Sequence, residues 1–209
     1  MADKLSLYNG ALRVLKQRKL SSLTDNVPAR HQLDGVFDES VQACLEEGFW
    51  NFATRSVEIE PLTDVAANFG YDHVYEQPED FVRLVAISAD ATLRPGLDDY
   101  RIETGYILAN VNPLYLAYIS NDANYGLNYG IWPMTFQRFV HHDLAMEVGP
   151  HLTKMSERER SMLHKMHNMA KRNARSKDAL NQAPMTPDPG RLVRARVSRQ
   201  MDQRRSSSQ

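Results

Sequence analysis

The apolar positions of the chain follow two periods. Between Arg30 and Arg55 they fall at Leu33, Val36, Phe37, Val41, Cys44, Leu45, Phe49 and Phe52, spaced by three and four, the repeat of one helix face. Asp34, Asp38, Glu39, Gln42 and Glu46 lie between them, on the opposite face. This stretch is predicted to be the organising helix, closing in an aromatic plug at Gly48-Phe49-Trp50-Asn51-Phe52. Directly afterwards Ser56-Val57-Glu58-Ile59-Glu60 alternates strictly, as a half-buried strand does. Trp50 and Phe52, where the period switches, are therefore expected to form the structural junction between a helical and a β module.

The same reading extends to the rest of the chain. A helix is predicted from Leu5 to Arg18, with Leu5, Tyr8, Leu12 and Leu15 on one face. Pro28 suits the first turn of the next helix, where its missing N–H leaves no extra orphan. Strands are predicted near Val57–Glu60, Val74–Gln77, Phe81–Ser88, Tyr100–Glu103, Tyr106–Ala109 and Leu114–Ser120. Thr104-Gly105 is a two-residue hairpin signal, and Pro61, Pro78, Pro95 and Pro113 fall between candidate strands, where a lost donor does no harm. After an Asn/Gly/Tyr loop over 121–130, helical spacing returns at Phe136, Phe139, Val140, Leu144 and Val148, with Gly149-Pro150 expected to stop it. Ser156 and Glu159 form a capping box. The helix it opens is expected to reach about Asn181 and to present Met162, Met166, Met169 and Ala170 as its apolar face. The fold class is thus α+β. A helical bundle (residues 1–55 and 133–183) carries an inserted antiparallel β domain (56–132), and an extended C-terminal tail follows (184–209).

Charge changes the picture more than composition does. Residues 1–150 hold 11 Lys/Arg against 21 Asp/Glu, and residues 151–209 hold 14 against 5, so a net of −10 is followed by a net of +9. Such asymmetry fits either a nucleic-acid arm or the basic end of one copy meeting the acidic body of another. The single cysteine, Cys44, rules out an intramolecular disulfide and sits on the apolar face of the central helix. No apolar run approaches a membrane span, and the first residues lack a signal-peptide core, so the protein is expected to be soluble.

Chemistry-bearing patterns are sparse. His164 and His167 are three apart on a helix, a zinc-compatible spacing, but no cysteine or carboxylate pattern completes a site, and His141, His142 and His151 add none. All are expected on polar faces. Acid pairs such as Glu46-Glu47, Glu79-Asp80 and Asp98-Asp99 have no base or nucleophile spaced to match. Phosphate-loop, dinucleotide and nucleophile-elbow motifs do not occur. The reading is therefore of a non-enzyme with no catalytic residue, no metal and no cofactor.

Two stretches look like contact surfaces. Tyr125, Tyr129 and Trp132 lie in a flexible loop without a Lys or Arg until Arg138, a composition that suits protein contact better than base stacking. At the C-terminal end Arg191, Arg194, Arg196 and Arg199 interleave with Leu192, Val193 and Val197. Forked guanidinium donors beside apolar side chains suit a segment that orders on an acidic, partly apolar groove. The alternative is a DNA-binding module that uses the same basic region.

Taken in order, these pieces resemble a known pattern. Asn9, Ala11, Leu12 and Leu15 stand on the first helix, and Trp50, Asn51, Phe52 and Ala53 close the second. Tyr75, Pro78, Asp80 and Arg83 follow as Y-x-x-P-x-D-x-x-R, then Phe136, Leu144 and Ala145, then Arg191, Arg194, Ala195 and Arg196. Over nearly its whole length the chain resembles the tail tubular protein A-type head-to-tail adaptors of tailed bacteriophages. The resemblance implies a ring-forming virion protein of the tail neck, assembled in the host cytoplasm and commonly a dodecamer. Such a ring binds beneath the portal protein, extends the channel through which viral DNA passes without sequence-specific contact, and docks the next tail component, a nozzle or tail-tube protein. It implies no membrane. In that setting the segment Arg191–Arg199 is expected to bind the portal, and Tyr125, Tyr129 and Trp132 the next tail component.

Overall fold

The computed structural model of the protein describes residues 2–65 and 70–181. It is a mixed α+β structure of four helices and two small antiparallel sheets. The helices are α1 (Lys4–Val14), α2 (Pro28–Glu46), α3 (Met134–Leu152) and α4 (Glu157–Ala179). Between α2 and α3 run β1 (Thr54–Ile59), β2 (His73–Glu76), β3 (Phe81–Ser88), β4 (Tyr100–Glu103), β5 (Tyr106–Ala109) and β6 (Leu114–Ser120). Four strands match the predicted bounds, β1 begins earlier at Thr54, and β2 is displaced by one residue.

Local chemistry sets most of the boundaries. Asp3 and Ser6 cap α1 reciprocally, with the Ser6 N–H 2.7 Å from the Asp3 carboxylate. The helix stops earlier than the predicted Arg18, because Lys16 turns into the left-handed region at φ 56°. Pro28 occupies the first turn of α2, and α4 opens on the Ser156–Glu159 capping box. Thr104 and Gly105 both have positive φ, 49° and 81°, as a tight β4–β5 hairpin of the primed type requires.

Two predicted helix ends are corrected. The central helix stops at Glu46 instead of running into the aromatic plug, and Phe49 is half exposed rather than part of a buried face. The chain breaks there because the Trp50 indole folds back onto the last turn. Gly149-Pro150 does not stop α3, which continues to Leu152. Proline deletes only one donor, and the end of the helix is closed by Thr153, whose N–H and hydroxyl both donate to Gly149 O.

The strands form two three-stranded sheets, β1-β6-β3 and β2-β5-β4, all antiparallel. The first is the middle layer. Its central strand β6 turns Leu114, Leu116 and Tyr118 toward the second sheet, where they meet Tyr75, Ile107 and Ala109. Ile119 faces the other way and joins the helical core, with Val82 and Val85 of β3 packed against it. A strand covered on both faces reads as a continuous apolar run, which explains Leu114-Tyr115-Leu116-Ala117-Tyr118-Ile119.

In the helical layer α3 is the hub, with α1, α2 and α4 packed around it. Phe136, Phe139, Val140, Leu144, Ala145 and Val148 are fully or almost fully buried. Gly10 is what lets α1 approach: a Cβ there would lie 2.3 Å from the His141 ring.

The predicted apolar face of α4 is also corrected. Leu163, His167 and Ala174 are buried against α3, whereas Met162, Met166 and Met169 are exposed. The stripe that packs is displaced by one residue from the methionines. Its alanines let the helices approach closely, and His167 finds a partner inside.

Candidate functional site

The aromatic junction begins with the end of α2. Trp50 is buried, and its indole N–H donates to Cys44 O at 3.0 Å and Leu45 O at 3.1 Å, supplying a donor to carbonyls that a helix end leaves orphaned. Its ring meets Phe136 of α3 edge-on at 4.8 Å. Phe52, half buried, stands 4.8 Å from the same Phe136 and 6.4 Å from Trp132. Between the two residues the chain makes a 3₁₀ turn, Asn51–Ala53, into β1. The end of α4 fixes that turn: the Asn51 N–H donates to the Asp178 carboxylate at 2.9 Å, and the Asn51 amide donates to Asp178 O at 2.7 Å. Burial pushes the Asp178 carboxyl above its ordinary range, against the opposing pull of that N–H. Beside the turn lies a cleft of 430 Å³ lined by Glu47, Phe49, Arg83, Arg175 and Asp178. Glu47 pairs with Lys171 and Arg175 there, each at 3.1 Å.

A second joint gathers the motif residues of β3. The Asp80 carboxylate accepts from Tyr118 OH at 2.8 Å, from Arg55 at 2.9 Å and from Ser120 OH. Burial opposes ionisation, but the donors from Ser120, Arg55 and Tyr118 hold the carboxyl below its usual range. One side chain thus ties the edges β1 and β3 to the centre of their sheet. Arg83 reaches the other way, donating to Glu46 O at 2.7 Å and lying over the Phe49 ring at 4.3 Å. Tyr75 is fully buried and donates to Val111 O. Asn9 of α1 brackets Leu20 with both amide atoms, accepting from its N–H at 2.7 Å and donating to its carbonyl at 3.1 Å. Asn9, Trp50, Tyr75, Asp80 and Arg83 therefore each hold two distant segments together. Their order in sequence signals them, but the partners Phe136, Ser120 and Glu46 leave no local trace.

The loop over 121–132 is folded onto the core, which corrects part of the expected contact surface. Trp132 is buried at 3% exposure, its indole N–H donating to Gly126 O at 2.8 Å. Tyr129 packs edge-on between Phe37 and Trp132, and Tyr125 lies under the Arg55 guanidinium at 5.5 Å. Trp132 is unavailable to a partner, and Tyr125 and Tyr129 are half buried. The exposed apolar groups of this region are Leu127, Ile131 and Met134. The basic segment with Arg191, Leu192, Val193, Arg194, Arg196, Val197 and Arg199 lies outside the described residues.

Two histidines expected on polar faces are inside. His141 is buried under α1, where desolvation and then the nearby Arg13 lower its pKa to about 4. His167 is buried against Phe139 and bonds Asp143 at 3.0 Å. Asp143 also neighbours Cys44, whose thiol is pushed well up by burial and then by that carboxylate. The order Cys44–Asp143–His167 puts a carboxyl group, not an imidazole, next to the sulfur, the reverse of what activates a thiol. Among the described residues no group of three His, Cys, Asp or Glu side chains is arranged to hold a metal, and no helix is long and apolar enough to cross a membrane. No protein-family model matches the chain, and no curated protein matches it by sequence.

Proposed function

We propose that the protein is a head-to-tail adaptor of a tailed bacteriophage. In this reading it is a helical bundle with an inserted β domain and an extended tail. Copies form a ring, twelve in the form the resemblance implies, that sits beneath the portal protein and lines the DNA channel. A nozzle or tail-tube protein docks on the ring, and the protein resides in the neck of the virion. It acts by holding position and catalyses nothing.

One observation carries the reading: several of the motif residues that make the resemblance join elements of the fold. Asn9 fastens helix to loop, the Trp50 ring packs the end of α2 against α3, Asp80 ties strand to strand, and Arg83 ties sheet to helix. A channel-forming ring calls for that rigidity, because each copy must keep one geometry under the pressure of packaged DNA. The charge asymmetry adds support, since a ring presents a different face to each neighbour.

Electron microscopy of the protein mixed with purified portal rings tests the proposal. An added ring of ordered copies below the portal is the expected result, and one or two copies per portal, or none, overturns it. Removing residues 184–209 should leave the folded body intact while abolishing stable attachment; normal occupancy after truncation places the anchor elsewhere.

A further inference from the structure

α4 carries a second, methionine-rich stripe that the other described residues leave bare. Met162, Met166, Met169, Asn173, Ser176 and Leu180 succeed one another by four, three, four, three and four residues, the spacing of a helix seam, and all are exposed. Met162 is 62% exposed, Met169 52% and Leu180 73%. Three exposed methionines in a row, followed beyond the polar Asn173 and Ser176 by Leu180, on an otherwise charged helix suit an interaction surface. Basic groups border it on both sides. Lys165 and Arg172 flank the outer edge, and across a groove of 200 Å³ Arg138 of α3 stands beside Met166 and Met169. None of these three cations takes part in an ion pair among the described residues.

The outer face of α2 has the opposite character. Gln32, Gly35, Glu39, Gln42 and Glu46 follow by three, four, three and four, and all but the half-buried Gln42 are exposed. The face is shallow: open space surrounds the position a Cβ on Gly35 would take, and Ala43 is exposed on the same side. It is also acidic, and Asp38 and Glu39 are exposed and outside any ion pair among the described residues.

We infer that the methionine stripe of α4 docks on the outer face of α2 in a second copy of the chain. Flexible methionine side chains fill the shallow strip around Gly35 and Ala43, and Lys165 and Arg172 meet Asp38 and Glu39. Pairing α4 with another α4 would set cation against cation and is disfavoured. Because the donor face and the acceptor face differ, each copy offers one of each to two neighbours, and the contact propagates head to tail until it closes. This deepens the adaptor reading by naming the contact from which its ring would be built.

Charge reversal tests it. The α4 variant carries Lys165→Glu and Arg172→Glu, and the α2 variant carries Asp38→Lys and Glu39→Lys. All four positions are exposed, so each variant should unfold at the wild-type temperature. By sedimentation or mass photometry, the wild type is expected to self-associate, and each variant alone should do so about a hundredfold more weakly. An equal mixture of the two should assemble again, since each reversed face then meets its complement. A variant that still assembles alone, or a mixture that does not recover, overturns the contact while leaving the adaptor reading to its own portal experiment. Wild-type protein that stays monomeric at the highest concentration it tolerates also overturns it, because the described residues leave both faces open; a ring formed only on the portal would remain. If that monomeric protein retards duplex DNA in a salt-dependent way and the α4 variant does not, the basic borders serve phosphate instead.

Discussion

α3 and α4 lie against each other and are similar in length, 19 and 23 residues, but they belong to different environments. α3 is covered by α1, α2, α4 and the Trp50 ring, and eight of its residues are buried. α4 is covered on one side, and only Leu163, His167, Ala174 and Asp178 are buried. The difference shows in what each helix tolerates. On the packed side of α3 the polar side chains have fitted neighbours: His141 under a glycine, Asp143 against His167. On α4 large apolar side chains face outward, because nothing among the described residues covers them. An apolar residue in the first helix is therefore a statement about stability, and in the second it can be a statement about a partner.

The comparison can be broken most severely at the hub. Trp50→Ala empties a fully desolvated site between α2 and α3 and orphans two carbonyl acceptors, so a loss of about 3–5 kcal/mol is expected in chemical denaturation. A midpoint unchanged from wild type would mean that the junction does not hold the helices.

Acid comes next. The pKa of His141 falls from 6.5 to about 4 on folding, so the neutral ring is the folded form. Its contribution is fully present above pH 6.5 and is lost as pH falls from there toward 4. The shift corresponds to about 3 kcal/mol. Denaturation at both pH values, with wild type and His141→Gln side by side, isolates this term from the carboxylates. Equal acid sensitivity in the two proteins would remove it.

A single methyl group should do slightly less. Gly10→Ala drives a carbon into the His141 ring and is expected to cost about 1–3 kcal/mol, and Gly10→Ala combined with His141→Ala should be less destabilised than the sum of the two. Additive losses would show that the close approach of α1 is not what the glycine serves. At the start of α4, Ser156→Ala removes one half of the capping box and should cost about 1 kcal/mol by thermal unfolding.

The smallest effect sharpens the contrast. Met162→Gln and Met169→Gln should each change stability by less than about 0.5 kcal/mol, despite removing large apolar side chains. A drop comparable to that of a core residue would place the stripe inside the fold of the single chain.

Much of the secondary structure was legible in the sequence for local reasons. β1 follows from strict alternation and the other strands from β-type runs set off by proline, the β4–β5 turn from Thr104-Gly105, and the start of α4 from Ser156 and Glu159. Each of those signals acts over a few residues, through backbone dihedrals or through one donor and one acceptor. The aromatic switch at Trp50 and Phe52 was legible too, although the indole that ends α2 was not.

What tertiary structure alone decided is which of two equivalent patterns is used. The series 162, 166, 169, 173 and the series 163, 167, 170, 174 have the same helical spacing and differ by one residue. Hydropathy favours the methionines, but the small side chains of Ala170 and Ala174 and the Asp143 partner of His167 put the second series against α3. β3 poses the same problem. Register shifts after Phe81 and Leu84 break its alternation, so Phe81, Leu84 and Ile87 share a face at steps of three, a pattern set by pairing with β6. The bonds from Asn51 to Asp178 and from Tyr118 to Asp80 span 127 and 38 residues. Periodicity carries information only over the length of one element, and each of these choices depends on the surface of another.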